Sequence, residues 1–348
     1  MKKLVKFPKI AGFRDTVYSV NRHADFEGLN DEGEPILNPN NPRPVIDFTG
    51  TVKLHGTNAA VCWDGTELWA QSKERIITAE SDNHGFAFFV DGRREILETA
   101  MRSLRDQFKI PNDCIIAMYG EWCGKGIQRG VAISQLEKMF VVFKIKIATP
   151  DESANYWLDY DYTDLSFVNI CAIQDVQVRF IESFDTFKIT IDFSDVAVAQ
   201  DKLVALTNGV EVECPVGRAL GVAGVGEGIV WTGSHDGQYY MFKVKGEKHS
   251  SSKVRKLAPV DVEKVNSIKE FVEYAVTENR LEQGFDELFT SKKIEASKKY
   301  IGEFLKWVQS DVVKEEADTM AQNGLEPKEV NKAISGKAVK WFMLKVGV

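Results

Sequence analysis

Lys53 stands at the end of an apolar, strand-like run and is followed at once by turn residues: TVKLHGTN, Thr51 to Asn58. Lysine is among the residues least often buried, and His-Gly-Thr-Asn is turn chemistry. A lysine placed this way suits nucleophilic work, provided its amine is uncharged when it meets an electrophile. Free lysine ionises at about 10.4, so something must favour the neutral form. Partial burial and neighbouring cations both do so, and a depression of about three units costs on the order of 4 kcal/mol. Lys243 and Lys245 in FKVK lie two residues apart, hence on one face of a strand, and are candidates for those cations and for holding phosphates. Taken singly, each pattern has a plainer explanation. A K-x-x-G is often a surface hairpin corner, and FKVK is often an amphipathic strand with its lysines in water.

The chain also carries, in order, YGEWCGKGIQ (Tyr119 to Gln128), FVVFKI (Phe140 to Ile145) and EGIVW (Glu227 to Trp231) between the lysine motif and FKVK. Together these resemble the ordered motifs of the covalent nucleotidyltransferases, the ATP-dependent RNA and DNA ligases and mRNA capping enzymes. His-Gly-Thr-Asn after the lysine, with Tyr-Gly-Glu and Gly-Ile-Gln later, is most similar to the RNA ligase 2 type of phage RNA ligases and trypanosome editing ligases. The resemblance runs from about residue 53 to 245.

The resemblance implies an ATP-dependent RNA ligase. Lys53 takes the nucleotide covalently, His55 acts in the steps after lysine adenylylation, and Lys243 and Lys245 complete the catalytic set. Leu54, Asn58, Lys73, Arg75, Glu121, Phe143 and Glu227 join the two strand lysines in binding the nucleotide. Glu121 matches the ribose-contacting glutamate and Glu227 the glutamate associated with a divalent metal, Mg²⁺ or Mn²⁺, which neutralises the pyrophosphate leaving group. Phe143 matches the aromatic that stacks on adenine, with Phe140 turned toward core. Asn58 orients the reacting phosphate or the RNA terminus.

Two positions depart from the family pattern. In Ser72-Lys73-Glu74-Arg75 the position matching the family's arginine holds Lys73, and lysine lacks the planar two-pronged contact of arginine, so the role is divided between Lys73 and Arg75. Val52 stands where RNA ligases of this type often carry a glutamate that reads the adenine amino group, which leaves the choice of ATP over GTP to other groups.

The elements that must position these residues follow from the local patterning. VIDFTGTVKLHG reads as a strand entering a turn, after an extended loop marked by Pro35, Pro39, Pro42 and Pro44. TNAAVCW and TELWAQS flank the hairpin signal Asp64-Gly65. CIIAMYGEW, FVVFKIKI, GIVWTG and YYMFKVK read as strands, and Arg93 to Phe108 as a helix. Residues from about 150 to 215 read as an insertion or connecting subdomain with a helix near Val196 to Leu206. Beyond the polar run Lys248 to Lys253, apolar residues take helical spacing, as in Ile268, Phe271, Val272, Ala275 and Ile301, Phe304, Leu305, Val308. Pro259 and Pro327 sit at helix starts. The expected fold is α+β: a nucleotidyltransferase domain over 1–252, with ATP-grasp-like antiparallel sheets and flanking helices, and a smaller all-helical domain over 253–348.

Whole-chain properties bound the function classes. A length of 348 residues with 44% hydrophobic content supports two cores. No run approaches the roughly 18 apolar residues of a membrane span, so the expectation is a cytoplasmic protein without membrane contact. Five widely spaced cysteines without a C-x-x-C pair fit reduced thiols and argue against zinc. A net charge of −7 argues against indiscriminate nucleic-acid binding but leaves room for a local basic track. Lys243 to Lys256 holds six Lys or Arg against one Glu, a candidate path for an RNA backbone. The expected partner is RNA, as a nicked duplex or a broken structured RNA, bound by a monomer. The alternatives are a DNA ligase or GTP-dependent capping enzyme, against which His55 and the helical C-terminus speak, and a non-catalytic RNA-binding protein on the same fold.

Overall fold

The computed structural model describes residues 2–165, 177–246, 268–290, 292–322 and 324–347. The polar run Lys248 to Lys253, Pro259 and most of the basic run ending at Lys256 lie outside the described residues. The chain divides into two compact units, one formed by Met1–Ile10, Asp47–Ile189 and Leu206–Gly233, the other by Ala11–Ile46, Thr190–Ala205 and Ser234–Val348. The architecture is mixed α+β with antiparallel sheets and a helical C-terminal region.

In the first unit a seven-stranded sheet is built around Thr57–Trp63, Ile115–Cys123 and Met139–Ala148, each rich in β-branched and aromatic residues. One face is covered by the helices Phe86–Asp91 and Arg94–Phe108, whose Phe86, Phe89, Leu97, Met101 and Leu104 pack with Val61, Met118, Phe140 and Val142 in a continuous core. Phe140 is fully buried there, as its predicted inward orientation required. The helix begins at Arg94, within a residue of the expected Arg93 start. The hairpin at Asp64 uses a longer loop than a two-residue turn: Trp63 pairs with Leu68, and the Asp64 carboxylate accepts from the Thr66 and Glu67 amides. That carboxylate is held below the usual range: burial acts to raise it, and the amides and the Thr66 hydroxyl outweigh burial.

A second sheet carries the strand Val45–Lys53, whose alternating burial turns Ile46, Phe48 and Val52 inward. Gly228–His235 pairs with it antiparallel, from Gly228 opposite Lys53 to Gly233 opposite Phe48. Thr186–Asp192 lies on its other side. Residues 150–215 are therefore not a separate insertion, because they supply this strand and also Val178–Phe180, which pairs parallel with Phe140, Val141 and Val142. The helix expected near Val196 runs from Ala197 to Val212.

In the second unit Phe26–Leu29 and Pro35–Leu37 form a small hairpin where a loop was expected. Pro35 is tolerated because it sits at the first position of a two-stranded edge. The residues Ala11 and Gly12 run parallel to Phe242 and Lys243. The C-terminal helices bury Phe271, Val272, Ala275, Phe304, Val308, Ile334, Ala338 and Phe342 in one cluster. Pro327 opens the helix Pro327–Lys345, where a missing amide hydrogen costs nothing. Arg280, fully buried in this unit, donates to Asp311 and Glu316.

Candidate active site

Lys53 is the last residue of its strand, and the register with Gly228–His235 brings Glu227, one residue before that strand, beside it. Lys53 Nζ lies 2.8 Å from Glu227 Oε2, and His55 Nδ1 lies 3.3 Å from the same oxygen. Glu227 is 3% exposed, against 20% and 25% for the side chains of Lys53 and His55. A buried carboxylate thus sits between the proposed nucleophile and the turn histidine. The charged group paired with Lys53 here is a carboxylate.

Gly56, in the turn after Lys53, donates its amide hydrogen to Glu121 Oε1 at 2.9 Å. A Cβ at Gly56 would lie 2.4 Å from the Trp122 carbonyl oxygen and 2.8 Å from Cys123 Cβ, so the turn approaches the strand Ile115–Cys123 as closely as backbone can. Gln128 Nε2 donates to the Gly56 carbonyl at 3.5 Å. Asn58 is paired in register with Glu121, which puts the two predicted polar contacts on neighbouring strands.

Phe143 occupies a β-bulge. Tyr119 pairs with Lys144 and Gly120 with Val142, which leaves Phe143 as the extra residue. A bulge re-aims the side chain it carries. Phe143 remains partly exposed while Phe140 is buried, and its ring meets Phe7 edge-on with centroids 5.3 Å apart. Leu54 is 6% exposed, so a ligand contact there falls to its backbone.

Arg75 is used locally: its guanidinium donates to the Ser81 carbonyl at 2.6 Å and the Ser81 hydroxyl at 3.1 Å, bracing the loop after the strand Ile76–Ile77. Lys73 occupies the turn before it and is partly exposed. Lys243 and Lys245 belong to the second unit. There Lys243 Nζ contacts Glu315 Oε2 at 3.0 Å. Burial acts to raise the Glu315 carboxyl, and Lys243, Lys245 and Arg280 outweigh it and hold it at about 2.

Sequence patterning gave no signal for Phe7, and none for Glu315, whose helix reads as an ordinary amphipathic segment. Gln128 lay inside a quoted motif without a role. Among the described residues, no group of three or more His, Cys, Asp or Glu side chains is arranged to hold a metal ion. Cys62, Cys114, Cys123 and Cys214 are buried free thiols. No described helix is long and apolar enough to cross a membrane.

The family model for RNA ligase matches residues 46–245. No curated protein matches the chain. Among solved structures, the chain is similar to Naegleria gruberi RNA ligase with pyrophosphate, at 15% identity and a TM-score of 0.42, covering 71% of this chain and 57% of that one. A variant of the same enzyme with ATP and manganese gives 15% identity and a TM-score of 0.43, over 71% of this chain and 58% of that one. The chain thus spans less than three fifths of the length of these structures.

Proposed function

Since the chain belongs to the RNA ligase family, we propose that it joins RNA 3′-hydroxyl and 5′-phosphate ends with ATP, and that Lys53 is the nucleophile. The observation that carries this reading is the cluster of Lys53, His55 and Glu227 at the end of one strand, with Glu121 and Asn58 on the adjoining sheet. Lys53 Nζ attacks the α-phosphorus of ATP as the unprotonated amine, forming a P–N bond and giving up a proton as the bond to pyrophosphate breaks. The AMP then passes to an RNA 5′-phosphate, and a 3′-hydroxyl displaces it to seal the strand. Dividing the reaction in this way lets one site run three similar displacements.

Glu121 is assigned to the ribose hydroxyls, and its bond from the Gly56 amide orients the carboxylate in advance. Phe143 is assigned to the adenine face, where base–aromatic stacking is worth about 1–3 kcal/mol. Lys243 and Lys245 are assigned to the phosphates, Lys73 and Arg75 share the contact to the ribose and RNA end, and His55 serves the steps after adenylylation.

The residues present fit a Mg²⁺ or Mn²⁺ ion. Such a cation is commonly held by one or two carboxylates, with waters and substrate phosphates completing its shell, and the buried Glu227 supplies a carboxylate of that kind. When bound, the cation neutralises charge on the triphosphate. The same proposal places the chain with the RNA ligase 2 type, assigns residues 1–252 to adenylyl transfer and 253–348 to a helical domain that grips RNA, and regards the protein as a cytoplasmic monomer.

Incubation with α-labelled ATP and magnesium tests the reading. A label on the protein that survives denaturation and is absent from Lys53→Ala is the expected result, and no label on the wild type overturns it. Labelled GTP run in parallel reports what Val52, 3% exposed and without a polar group, allows.

A further inference from the structure

The first nine residues, MKKLVKFPK, hold four lysines and no acidic residue, in a protein of net charge −7. This segment is fastened down by buried polar side chains. Gln71, 1% exposed, accepts from the Val5 amide at 3.1 Å and donates to the Val5 carbonyl at 2.5 Å. Tyr119 donates its hydroxyl to the same carbonyl at 2.7 Å. Phe7 is buried against Tyr119, Phe143 and Trp157. Val5 and Phe7 point inward, which leaves Lys3 and Lys6 exposed along the outside of a braced strap. Lys146 joins them: its Nζ lies 3.5 Å from the Lys6 carbonyl oxygen and 5.7 Å from the centre of the Trp157 ring.

One anion already lies among these cations. Glu152 Oε1 is 2.7 Å from Lys3 Nζ, and its carboxyl is held below the usual range first by the Lys3 hydrogen bond and charge, with Lys146 and Lys6 adding to them. Both partners of the Lys3–Glu152 pair are well exposed, so water screens the pair and it yields readily to a stronger anion. Cations set beside an aromatic ring and held by a rigid backbone make the combination that tracks a nucleic-acid strand.

We propose that the strap formed by Lys3 and Lys6, with Lys146 beside Trp157, is a contact surface for the phosphate backbone of the RNA substrate, and that Glu152 occupies this surface when RNA is absent. The inference rests on RNA being the substrate. Phe7 packs against both Trp157 and Phe143, so the strap is braced on the same aromatic cluster as the proposed base platform.

The test measures binding of a labelled nicked RNA duplex between 50 and 200 mM salt. It compares the wild type with the triple variant Lys3→Ala, Lys6→Ala, Lys146→Ala and with Glu152→Gln. Three lost phosphate contacts reduce the slope of log affinity against log salt by roughly 2–3. The triple variant is expected to show that loss and at least tenfold weaker binding near 100 mM salt, with lysyl-AMP formation within about twofold of wild type. Glu152→Gln is expected to bind about twofold tighter or better. An unchanged slope in the triple variant, or weaker binding by Glu152→Gln, overturns the inference. So does loss of lysyl-AMP formation in the triple variant, which would make the strap a support of the nucleotide site. Failure of the wild type itself to form lysyl-AMP or to bind RNA sinks the underlying functional reading instead, so the two failures are told apart.

Discussion

Lys53 and Glu227 are 174 residues apart in sequence, and their side chains meet at 2.8 Å. The carboxylate is buried and shared with His55. Glu227→Gln keeps the volume and removes the charge. If this carboxylate serves the adenylylation step, labelling by ATP should fall by at least about 100-fold, since electrostatic groups of this kind contribute about 3 kcal/mol to a transition state. The check is the rate of covalent labelling, with circular dichroism to show that the variant is folded. Labelling within threefold of wild type would remove Glu227 from the site.

Gly56 has no room for a side chain. The Cβ of Gly56→Ala would press on the Trp122 carbonyl, which is strand backbone and does not yield as a flexible side chain would. The turn must shift and the Gly56 amide must leave Glu121. Overpacking of this kind costs about 1–3 kcal/mol. Thermal melting should show a drop of several degrees, and ATP labelling should fall with it. An unchanged melting temperature would mean that the turn is looser than the geometry indicates.

Two carboxylates give pH effects of opposite sign. Burial raises Glu182 to about 7, its own amide and Lys144 acting against burial, and its buried Oε2 has no hydrogen-bond partner among the described residues. The unfolded chain loses this proton near 4.5 while the folded protein keeps it to about 7. The stability from Glu182 is therefore complete below pH 4.5 and lost as pH rises through 7, on the order of 3 kcal/mol. Glu182→Gln should melt higher than wild type at pH 8 and about equally at pH 4.5.

Glu315 runs the other way. Held at about 2 by Lys243, Lys245 and Arg280 against the effect of its burial, it contributes stability above pH 4.5 that disappears as pH falls toward 2. Glu315→Gln should melt lower than wild type at pH 7, with the gap closing on acidification. Calorimetric scans across pH measure both. A Glu315→Gln gap that is constant with pH would show that the Lys243 contact does not depend on charge.

Phe143 and Phe7 separate stacking from support. With base stacking worth about 1–3 kcal/mol, Phe143→Ala should raise the KM for ATP by roughly 5- to 150-fold. Phe7→Leu, which keeps the core filled but removes the edge contact, should raise KM by less and leave kcat nearly unchanged. Steady-state adenylylation measures both. A larger KM effect from Phe7→Leu than from Phe143→Ala would reverse the roles.

Much of this molecule follows from local patterning. Period-two alternation in Val45–Lys53 identifies the strand that ends at the lysine, and helical spacing identifies the cluster of Phe271, Phe304 and Phe342. Both signals arise because each element buries one face, and burial imposes its own period on the sequence. The hairpin at Pro35 and the strand Thr186–Asp192 escaped that logic, because a short edge strand needs a partner more than it needs a pattern. The charge beside Lys53 could not be read from the chain. It depends on the register that sets Gly228 opposite Lys53, and a shift of one residue would turn that strand over. The packing of Phe7 against Phe143 and the contact of Glu315 with Lys243 likewise join segments that carry no mark of one another. The sequence by itself determined which residues can do chemistry and which elements carry them. Only the tertiary structure decided which charges and rings they meet, because such pairings are set by strand register and packing between distant segments, which leave no local period.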